Sequence, residues 1–402
     1  MTTPRLKLVP PQGGAAARAR PFRRGLVCAG GGVTGAIYEI GVLAALEERL
    51  DGFSLTECDV FVGVSAGAYV GTLVASGVSP SVLFQNATHP RSSDLDQLSL
   101  FRPNLGEIAS RLVSAPVTLA RSLRDFYRNR QDATVTDLVA SFAGLLPSGF
   151  FLLDGLEAWL AAWLSEEGRS NDFRALEGKL RVVTVALDSG ETRVFGEPGN
   201  DTVPISRAVA ASCALPGFFR PVRIDGVDYI DGGVRKTAHI SLALKERCGI
   251  VLCVNPIVPA RFDLSSGLLP LGRDQGALAS RGLLSILDQV FRLSLHSRLQ
   301  YGLSRYRREN PETDIVLFEP KPEELPRLMR NIMRTSGRIR IAEFAYRSTL
   351  QKLDAEYGRL SRVFERHGMR LRPAMPVSRA PRRPEAAQPV TAGSSRVAAT
   401  RR

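Results

Sequence analysis

Residues 60–67 have the sequence VFVGVSAG, and small and apolar residues continue to position 76. The first three residues predict a strand, residues 63–67 a turn and residues 68–76 a helix. A G-x-S-x-G pentapeptide between a strand and a helix is typical of a nucleophilic serine on a sharp turn, where bulky neighbours would clash. Ser65 is therefore the candidate nucleophile, flanked by Gly63 and Gly67, and an ordinary glycine-rich turn is the alternative.

The same order of elements occurs once before in the chain. Residues 25–29 form an apolar run that ends in three glycines, and a helical pattern of apolar residues follows to Leu50. Two consecutive strand–turn–helix units predict an α/β fold with three layers, α/β/α, around a mainly parallel sheet. Further strands and helices are expected along the chain: strands at 180–186, 192–195, 250–254 and 315–318, a hairpin from 221 to 231, and helices at 204–212, 276–308 and 336–367.

The glycine segment at residues 30–35, GGGVTG, matches G-x-G-x-x-G after a strand. That pattern raises the alternative of a dinucleotide site, and hence of an oxidoreductase. Such a fold expects an acidic residue at the end of a second strand about 20 residues later, to hold the ribose. Here the second strand leads into the serine turn instead. The better interpretation is a run of backbone N–H groups that face Ser65 as an oxyanion hole.

A nucleophilic serine needs a base. We expect each of the four histidines to be a surface or packing residue. His89 lies in a polar loop before Pro90, His296 and His367 lie in helical patterns beside arginines, and His239 has no partner carboxylate at a suitable spacing. Asp231 follows an apolar run and precedes two glycines, which predicts a carboxylate on a tight turn at a strand end. Taken alone, this motif favours an ordinary turn without a catalytic role. A carboxylate can accept the serine proton directly if it is hydrogen-bonded and partly desolvated.

The basic character of the chain lies in its two ends. The formal net charge is +13, yet residues 25–368 hold 39 basic and 39 acidic residues. Residues 1–24 and 371–402 are rich in Arg, Pro and Ala, which predicts two disordered basic tails. Such tails can contact anionic membrane lipids, or nucleic acid non-specifically, and no specific nucleic-acid partner is expected.

The cysteine pattern indicates whether metal or disulfide sites are expected, and the apolar runs indicate whether the chain is expected to enter a membrane. The five cysteines form no CxxC pair, which argues against a zinc site and a disulfide framework. We see neither a signal peptide nor an apolar run long enough to cross a membrane. The expectation is a cytoplasmic protein, or one held peripherally at the inner membrane face. The sequence leaves its oligomeric state open.

Taken in order, these three motifs resemble those of the patatin-like phospholipase family. Residues 30–35 resemble its oxyanion segment, residues 63–67 its nucleophile turn, and residues 231–233 its D-G-[GA] turn. The block AVAASCALPGFFRP at residues 208–221 resembles the segment that leads into that last turn. The resemblance covers residues 25–237, with a helical insert or lid at about 80–178. Residues 238–370 then extend the same α/β unit.

The resemblance implies a serine acyl-ester hydrolase that acts on lipid esters without metal or cofactor. It makes Ser65 the nucleophile and Asp231 the proton acceptor. The implied oxyanion donors are Gly31, Gly32 and Val33, and the remaining motif glycines are Gly30, Gly35, Gly63, Gly67, Gly232 and Gly233. The family usually carries Arg or Lys where this chain has Thr34, so a fixed positive charge is missing there.

Two alternatives share the same residues. An acyltransferase would use the same dyad with an alcohol or lysolipid in place of water, and a catalytically weak protein would only bind lipid or membrane. The apolar residues of two predicted helices, 156–163 and 283–291, are expected to face the core rather than lipid. A heptad pattern from Tyr346 to Phe364 is expected to pack back on the domain rather than on a second copy.

Overall fold

A computed structural model of the chain describes residues 23–89, 100–128, 145–261, 278–325 and 335–374. The strands, in chain order, are β1 (Arg23–Cys28), β2 (Leu50–Asp51), β3 (Val60–Val64), β4 (Arg102–Pro103), β5 (Gly149–Leu152), β6 (Lys179–Ala186), β7 (Thr192–Phe195), β8 (Gly217–Phe219), β9 (Val222–Ile224), β10 (Val227–Asp231), β11 (Cys248–Val254), β12 (Asp314–Phe318) and β13 (Arg370–Leu371). The helices are α1 (Gly32–Arg49), α2 (Ala66–Ala75), α3 (Pro80–Thr88), α4 (Leu105–Arg128), α5 (Asp154–Leu164), α6 (Ile205–Ser212), α7 (Ile240–Lys245), α8 (Leu283–Glu309), α9 (Thr335–Ala355) and α10 (Tyr357–Arg366).

One sheet organises the molecule. Its order is β12-β11-β1-β3-β6-β10-β9, and β7 also pairs with β6. The strands from β12 to β6 are parallel, whereas β7, β10 and β9 are antiparallel. The predicted mainly parallel sheet is confirmed. Two small sheets, β2 with β13 and β4-β5-β8, lie apart from it.

Helices cover both faces of the sheet because successive side chains of a strand point to opposite sides. Leu26 and Cys28 of β1 belong to one apolar cluster, while Val27 between them belongs to another. The first cluster includes residues of α1, α2 and α9, and the second includes residues of α7 and α8. Strands buried on both faces need continuous apolar runs, which is what β1 and β3 have. This is the predicted three-layer α/β/α arrangement.

The ends of the folded region differ slightly from the prediction. Strand β1 begins at Arg23, inside the predicted tail, and Leu371 is buried where β13 pairs with β2. Residues 1–22 and 375–402 of the two predicted tails lie outside the described residues, as do residues 90–99 and 129–144 of the predicted insert.

The C-terminal heptad pattern is carried by two helices rather than one. Helix α9 ends at Ala355 and α10 begins at Tyr357, with Glu356 between them at φ −107° and ψ 17°. The predicted single helix over 336–367 is therefore wrong. The expected packing is confirmed, since Leu353, Leu360 and Phe364 are fully buried in the main apolar cluster.

The two helices that were expected to face the core behave differently. In α5, Leu156, Leu160 and Trp163 are buried, as predicted. In α8, the predicted core residues Leu283, Leu287 and Val290 are 68%, 51% and 50% exposed. The prediction is wrong for these three residues, while the fourth, Phe291, is half-buried. Helix α8 packs on the sheet through another face, which carries Leu299 and Leu303, and Leu295 on that face is also buried. Within the described residues, no helix is long and apolar enough to span a membrane.

Candidate active site

Ser65 lies on a strained turn between β3 and α2. Its backbone has φ 54° and ψ −125°, which is unusual for a residue other than glycine. The N-terminal end of α2 begins at the next residue, so the positive end of the helix dipole lies beside the serine. The side chain is nearly buried, at 6% exposure. Strained backbone of this kind clusters at functional sites.

Gly63 and Gly67 are required in this turn because other backbone segments lie too close to them to leave room for a side chain. A Cβ atom on Gly67 would overlap the carbonyl group of Cys28, at the end of β1. A Cβ atom on Gly63 would overlap the backbone of Gly67 and Ala68. The G-x-S-x-G spacing therefore allows α2 to start directly over the ends of two parallel strands.

Ser212 holds the strained turn from outside the motif. Its hydroxyl accepts a hydrogen bond from the Ser65 backbone N–H, at 2.8 Å, and donates one to the Val183 carbonyl, at 2.6 Å. Ser212 is the last residue of α6 and is fully buried. Ser212 belongs to the block at residues 208–221 that resembles the family. The sequence around Ser212 does not predict this contact, because the contact joins residues far apart in the chain.

Asp231 is brought to Ser65 by strand register. Val64 of β3 pairs with Val183 of β6, and the next residue of β6, Thr184, pairs with Asp231 of β10. The two site residues therefore lie level with each other on opposite sides of β6. The Ser65 hydroxyl approaches the Asp231 carboxylate closely enough to lower the pKa of that carboxylate. The backbone N–H of Gly233 donates a hydrogen bond to the same carboxylate, at 2.7 Å.

Burial controls the protonation of Asp231, which is only 3% exposed. Loss of solvation raises its pKa to about 6 from an ordinary 3.8, and the hydrogen bonds from Ser65 and Gly233 oppose that rise. The carboxylate is therefore mostly ionised at neutral pH and can still accept a proton near that pH. A base with such a pKa is well matched to proton transfer in neutral solution.

The glycine segment lies directly against Ser65. A Cβ atom on Gly30 would stand 3.4 Å from the Ser65 Cβ atom. The N–H of Gly30 is used elsewhere, since it donates to the Thr237 carbonyl at 3.2 Å. In the part of the chain that the structure describes, no backbone acceptor is found for the N–H groups of Gly31, Gly32 and Val33. These are the three residues predicted as oxyanion donors.

The shape of this segment depends on Pro256 and on a left-handed residue. A Cβ atom on Gly31 would meet the Pro256 Cγ atom at 2.6 Å, so only glycine fits there. Gly32 has φ 58°, where L side chains are strained. Thr34 and Gly31 line a cavity of about 40 Å³ together with Arg292 of α8. An arginine of another element thus reaches the neighbourhood of Thr34, where the family usually carries a basic residue.

Three of the four histidines contact groups other than Ser65 and Asp231. His89 bonds to the Gln85 carbonyl of its own helix at 2.7 Å, His296 lies 3.7 Å from Glu319, and His367 lies 2.8 Å from Asp314. His239 is 4% exposed, which agrees with the expected packing role. Burial lowers its pKa to about 4, so its ring is neutral near pH 7.

The five cysteines are free thiols, and four of them are fully buried. Burial raises their pKa values, which makes them poor nucleophiles and poor ligands. Across the described ranges, no group of three His, Cys, Asp or Glu side chains is placed to hold a metal ion.

Comparison with known proteins agrees with this geometry. The sequence model of the family described as patatin-like phospholipase matches residues 26–244. That region contains the glycine segment, the serine turn and the Asp231 turn. A relative is the uncharacterized protein YqhO of Bacillus subtilis strain 168, which is 26% identical over 55% of this chain and 67% of its own length.

Two solved structures are also similar to the chain. VipD of Legionella pneumophila is 18% identical over 83% of this chain and 67% of its own length, with a TM-score of 0.37. The type III effector ExoU is 18% identical over 83% of this chain and 53% of its own length, with a TM-score of 0.31. The chain thus spans about half of ExoU and two thirds of VipD and YqhO.

Proposed function

Because this chain belongs to the patatin-like phospholipase family, and thus to a family of lipid hydrolases, we propose that it hydrolyses acyl esters of lipids through a Ser65–Asp231 dyad. The observation that carries the proposal is the strand register that brings Ser65 level with Asp231, a buried carboxylate whose pKa is raised to about 6. The substrates we propose are phospholipids or acylglycerols.

The first half of the reaction forms an acyl-enzyme. The Ser65 Oγ atom attacks the ester carbonyl carbon while its proton passes to an Asp231 carboxylate oxygen. The carbonyl oxygen becomes an oxyanion, which the N–H groups of Gly31, Gly32 and Val33 stabilise. When the tetrahedral intermediate collapses, the ester C–O bond breaks and the alcohol leaves with the proton that Asp231 held.

The second half releases the fatty acid. Asp231, ionised again, takes a proton from a water molecule that attacks the acyl carbon of the acyl-enzyme. The same N–H groups hold the second oxyanion. Its collapse breaks the bond to Ser65 Oγ, which recovers the proton from Asp231. Asp231 must be ionised before each of the two steps in which it accepts a proton. The reaction therefore needs a pH above the pKa of Asp231.

A fluorophosphonate probe and p-nitrophenyl butyrate test the dyad. We expect the parent to be labelled and to turn over the ester, and Ser65→Ala and Asp231→Asn to lose both properties. Ser76→Ala, at the other end of α2, and Asp228→Asn, on the same strand as Asp231, are matched controls that should keep both. A labelled, active Ser65→Ala protein would refute the proposal.

Release of fatty acid from phosphatidylcholine vesicles and from a triacylglycerol emulsion tests the substrate class. We expect release from at least one of them by the parent and none by Ser65→Ala. Turnover of the soluble ester without release from either lipid would restrict the proposal to small esters.

A further inference from the structure

The outer face of α8 is apolar over its first three turns. Five aliphatic side chains there are between 38% and 68% exposed: Leu283, Ile286, Leu287, Val290 and Leu293. With about 3.6 residues per turn, these positions fall on one side of the helix. The opposite side carries three buried leucines, Leu295, Leu299 and Leu303, and the last two belong to the apolar cluster on the sheet. The helix therefore has two apolar faces, and only one of them is covered by the described residues.

The same outer face changes character along the helix. Beyond Leu293 it carries Ser294 and Ser297, then Tyr301, which is 75% exposed, and finally Arg305 and Arg308. Residues 283–309 hold five arginines and two acids, a net charge of +3. Aliphatic side chains suit the acyl region of a lipid surface, and tyrosine and arginine suit its interface and anionic head groups, so the composition of this face fits such a surface.

Helix α8 is also fixed beside the candidate active site. Arg292 lines the small cavity with Gly31, at the glycine segment. Arg298 donates to the carbonyl of Val234, three residues after Asp231, at 3.4 Å. Gln289 exchanges two hydrogen bonds with the backbone of Ala260, at 3.1 and 2.8 Å. The helix thus runs past both the proposed oxyanion donors and the acid turn, with its apolar face turned outward.

From this placement we propose that the outer face of α8 docks the protein on an anionic lipid surface beside the active site. This inference rests on the proposed function, since a lipid ester must reach Ser65 from such a surface. Single exposed aliphatic side chains are common, but five of them on one face of one helix, continuous with a basic end, form a patch of the kind that marks an interaction site.

Cosedimentation of the full chain with vesicles tests the inference. The vesicles contain phosphatidylcholine with about one third phosphatidylglycerol, so that the surface is anionic. We expect Leu287→Ser with Val290→Ser to weaken binding about tenfold or more, because both side chains leave the apolar phase. Arg305→Gln with Arg308→Gln should weaken binding to these vesicles and leave binding to pure phosphatidylcholine unchanged.

The matched control is Leu112→Ser with Val113→Ser on α4, two side chains that are 69% and 81% exposed. It should bind as the parent does. The inference would be overturned if the α4 double variant lost as much binding as the α8 double variant. It would also be overturned if the α8 double variant bound vesicles as well as the parent does, because binding would then come from other parts of the chain such as its two basic ends. If light scattering shows that the parent is a dimer and that the α8 double variant is a monomer, the face binds a second copy of the chain instead of lipid.

Turnover of soluble p-nitrophenyl butyrate separates this inference from the proposed function. We expect the α8 double variant to keep that turnover and to lose fatty-acid release from vesicles. If the parent does not turn over the soluble ester, the proposed function fails; if it does, and vesicle binding is absent, only the docking inference fails.

Discussion

The hydroxyl of Ser212 accepts the backbone N–H of Ser65 across 2.8 Å, although 147 residues separate the two in the chain. The same hydroxyl donates to the Val183 carbonyl of the neighbouring strand. A single buried side chain therefore ties the strained turn of the nucleophile to the central sheet. Since the Ser65 backbone has φ 54°, a conformation that must be imposed by its surroundings, this contact helps to hold the nucleophile in place.

Replacing Ser212 by alanine should slow catalysis more than it weakens substrate binding. The Ser65 N–H and the Val183 carbonyl would lose their partner, at a cost of about 1–3 kcal/mol in the free energy of unfolding. Displacement of the nucleophile should lower kcat about tenfold to a hundredfold, with KM nearly unchanged. Steady-state kinetics with p-nitrophenyl butyrate and thermal unfolding measure the two effects.

Ser206→Ala is the control for Ser212→Ala. Ser206 is a buried serine of the same helix, and it accepts a hydrogen bond from Asn171 at 3.0 Å. We expect a comparable loss of stability with normal kcat. If both variants lower kcat equally, the effect of Ser212 is one of general stability and not of positioning.

The pH dependence of kcat/KM should reflect Asp231. Because burial raises the pKa of this carboxyl to about 6, and because the base must be ionised, activity should be full above that pH and fall tenfold per unit below it. His239 has a pKa lowered to about 4 and so titrates well below this range. A pH–rate profile of the parent and of His239→Asn, each with the soluble ester, checks this. The acid limb should remain near pH 6 in both, and a limb at pH 4 in the parent would contradict the role of Asp231.

Glu39 should make the folded protein less stable as the pH rises. It is fully buried in α1, and neither carboxylate oxygen has a hydrogen-bond partner among the described residues, so burial raises its pKa well above 4.5. Its contribution to stability is present in full below pH 4.5 and is lost as the pH rises from there towards the folded-state pKa. The loss has a slope of about 1.4 kcal/mol per pH unit.

The Glu39→Met variant lacks this titration. Its free energy of unfolding, compared with that of the parent, should improve steadily from pH 4.5 upward in urea titrations. Glu57→Gln, which removes an exposed carboxylate, is the control for the loss of one acidic group from the chain. Parallel curves for Glu39→Met and the parent would mean that Glu39 ionises in the fold as easily as in the unfolded chain.

Two glycines of α2 should respond oppositely to substitution by alanine. At Gly67 the added Cβ atom would overlap the backbone of Cys28, so we expect a loss of about 3 kcal/mol in stability and loss of activity. At Gly71 nothing lies within 4 Å of the added atom. Because alanine favours the helix, Gly71→Ala should stabilise the protein by up to about 1 kcal/mol and keep full activity.

Differential scanning calorimetry and ester turnover compare the two glycine variants with the parent. A Gly67→Ala protein that is as stable and as active as the parent would show that α2 can move away from β1, and would contradict the packing described here.

Local features were predictable because they depend on neighbours in the chain. The runs at 25–29 and 60–62 are continuous and apolar, since strands covered on both faces need apolar side chains at every position. The glycines at 63 and 67 are required by a helix that starts directly over a strand. These local patterns make Ser65 a candidate nucleophile and Asp231 a candidate base, and the family resemblance implies their roles and those of the residues from Gly31 to Val33.

Contacts between distant parts of the chain were decided only by tertiary structure. The register of β3, β6 and β10 brings Asp231 level with Ser65, and α6 ends where Ser212 meets the Ser65 N–H. The sequence also failed to show which face of α8 is buried, because both faces carry leucines at helical spacing. Hydrophobic periodicity identifies a helix, but only the position of the sheet determines which of two apolar faces it covers and which is left for a partner.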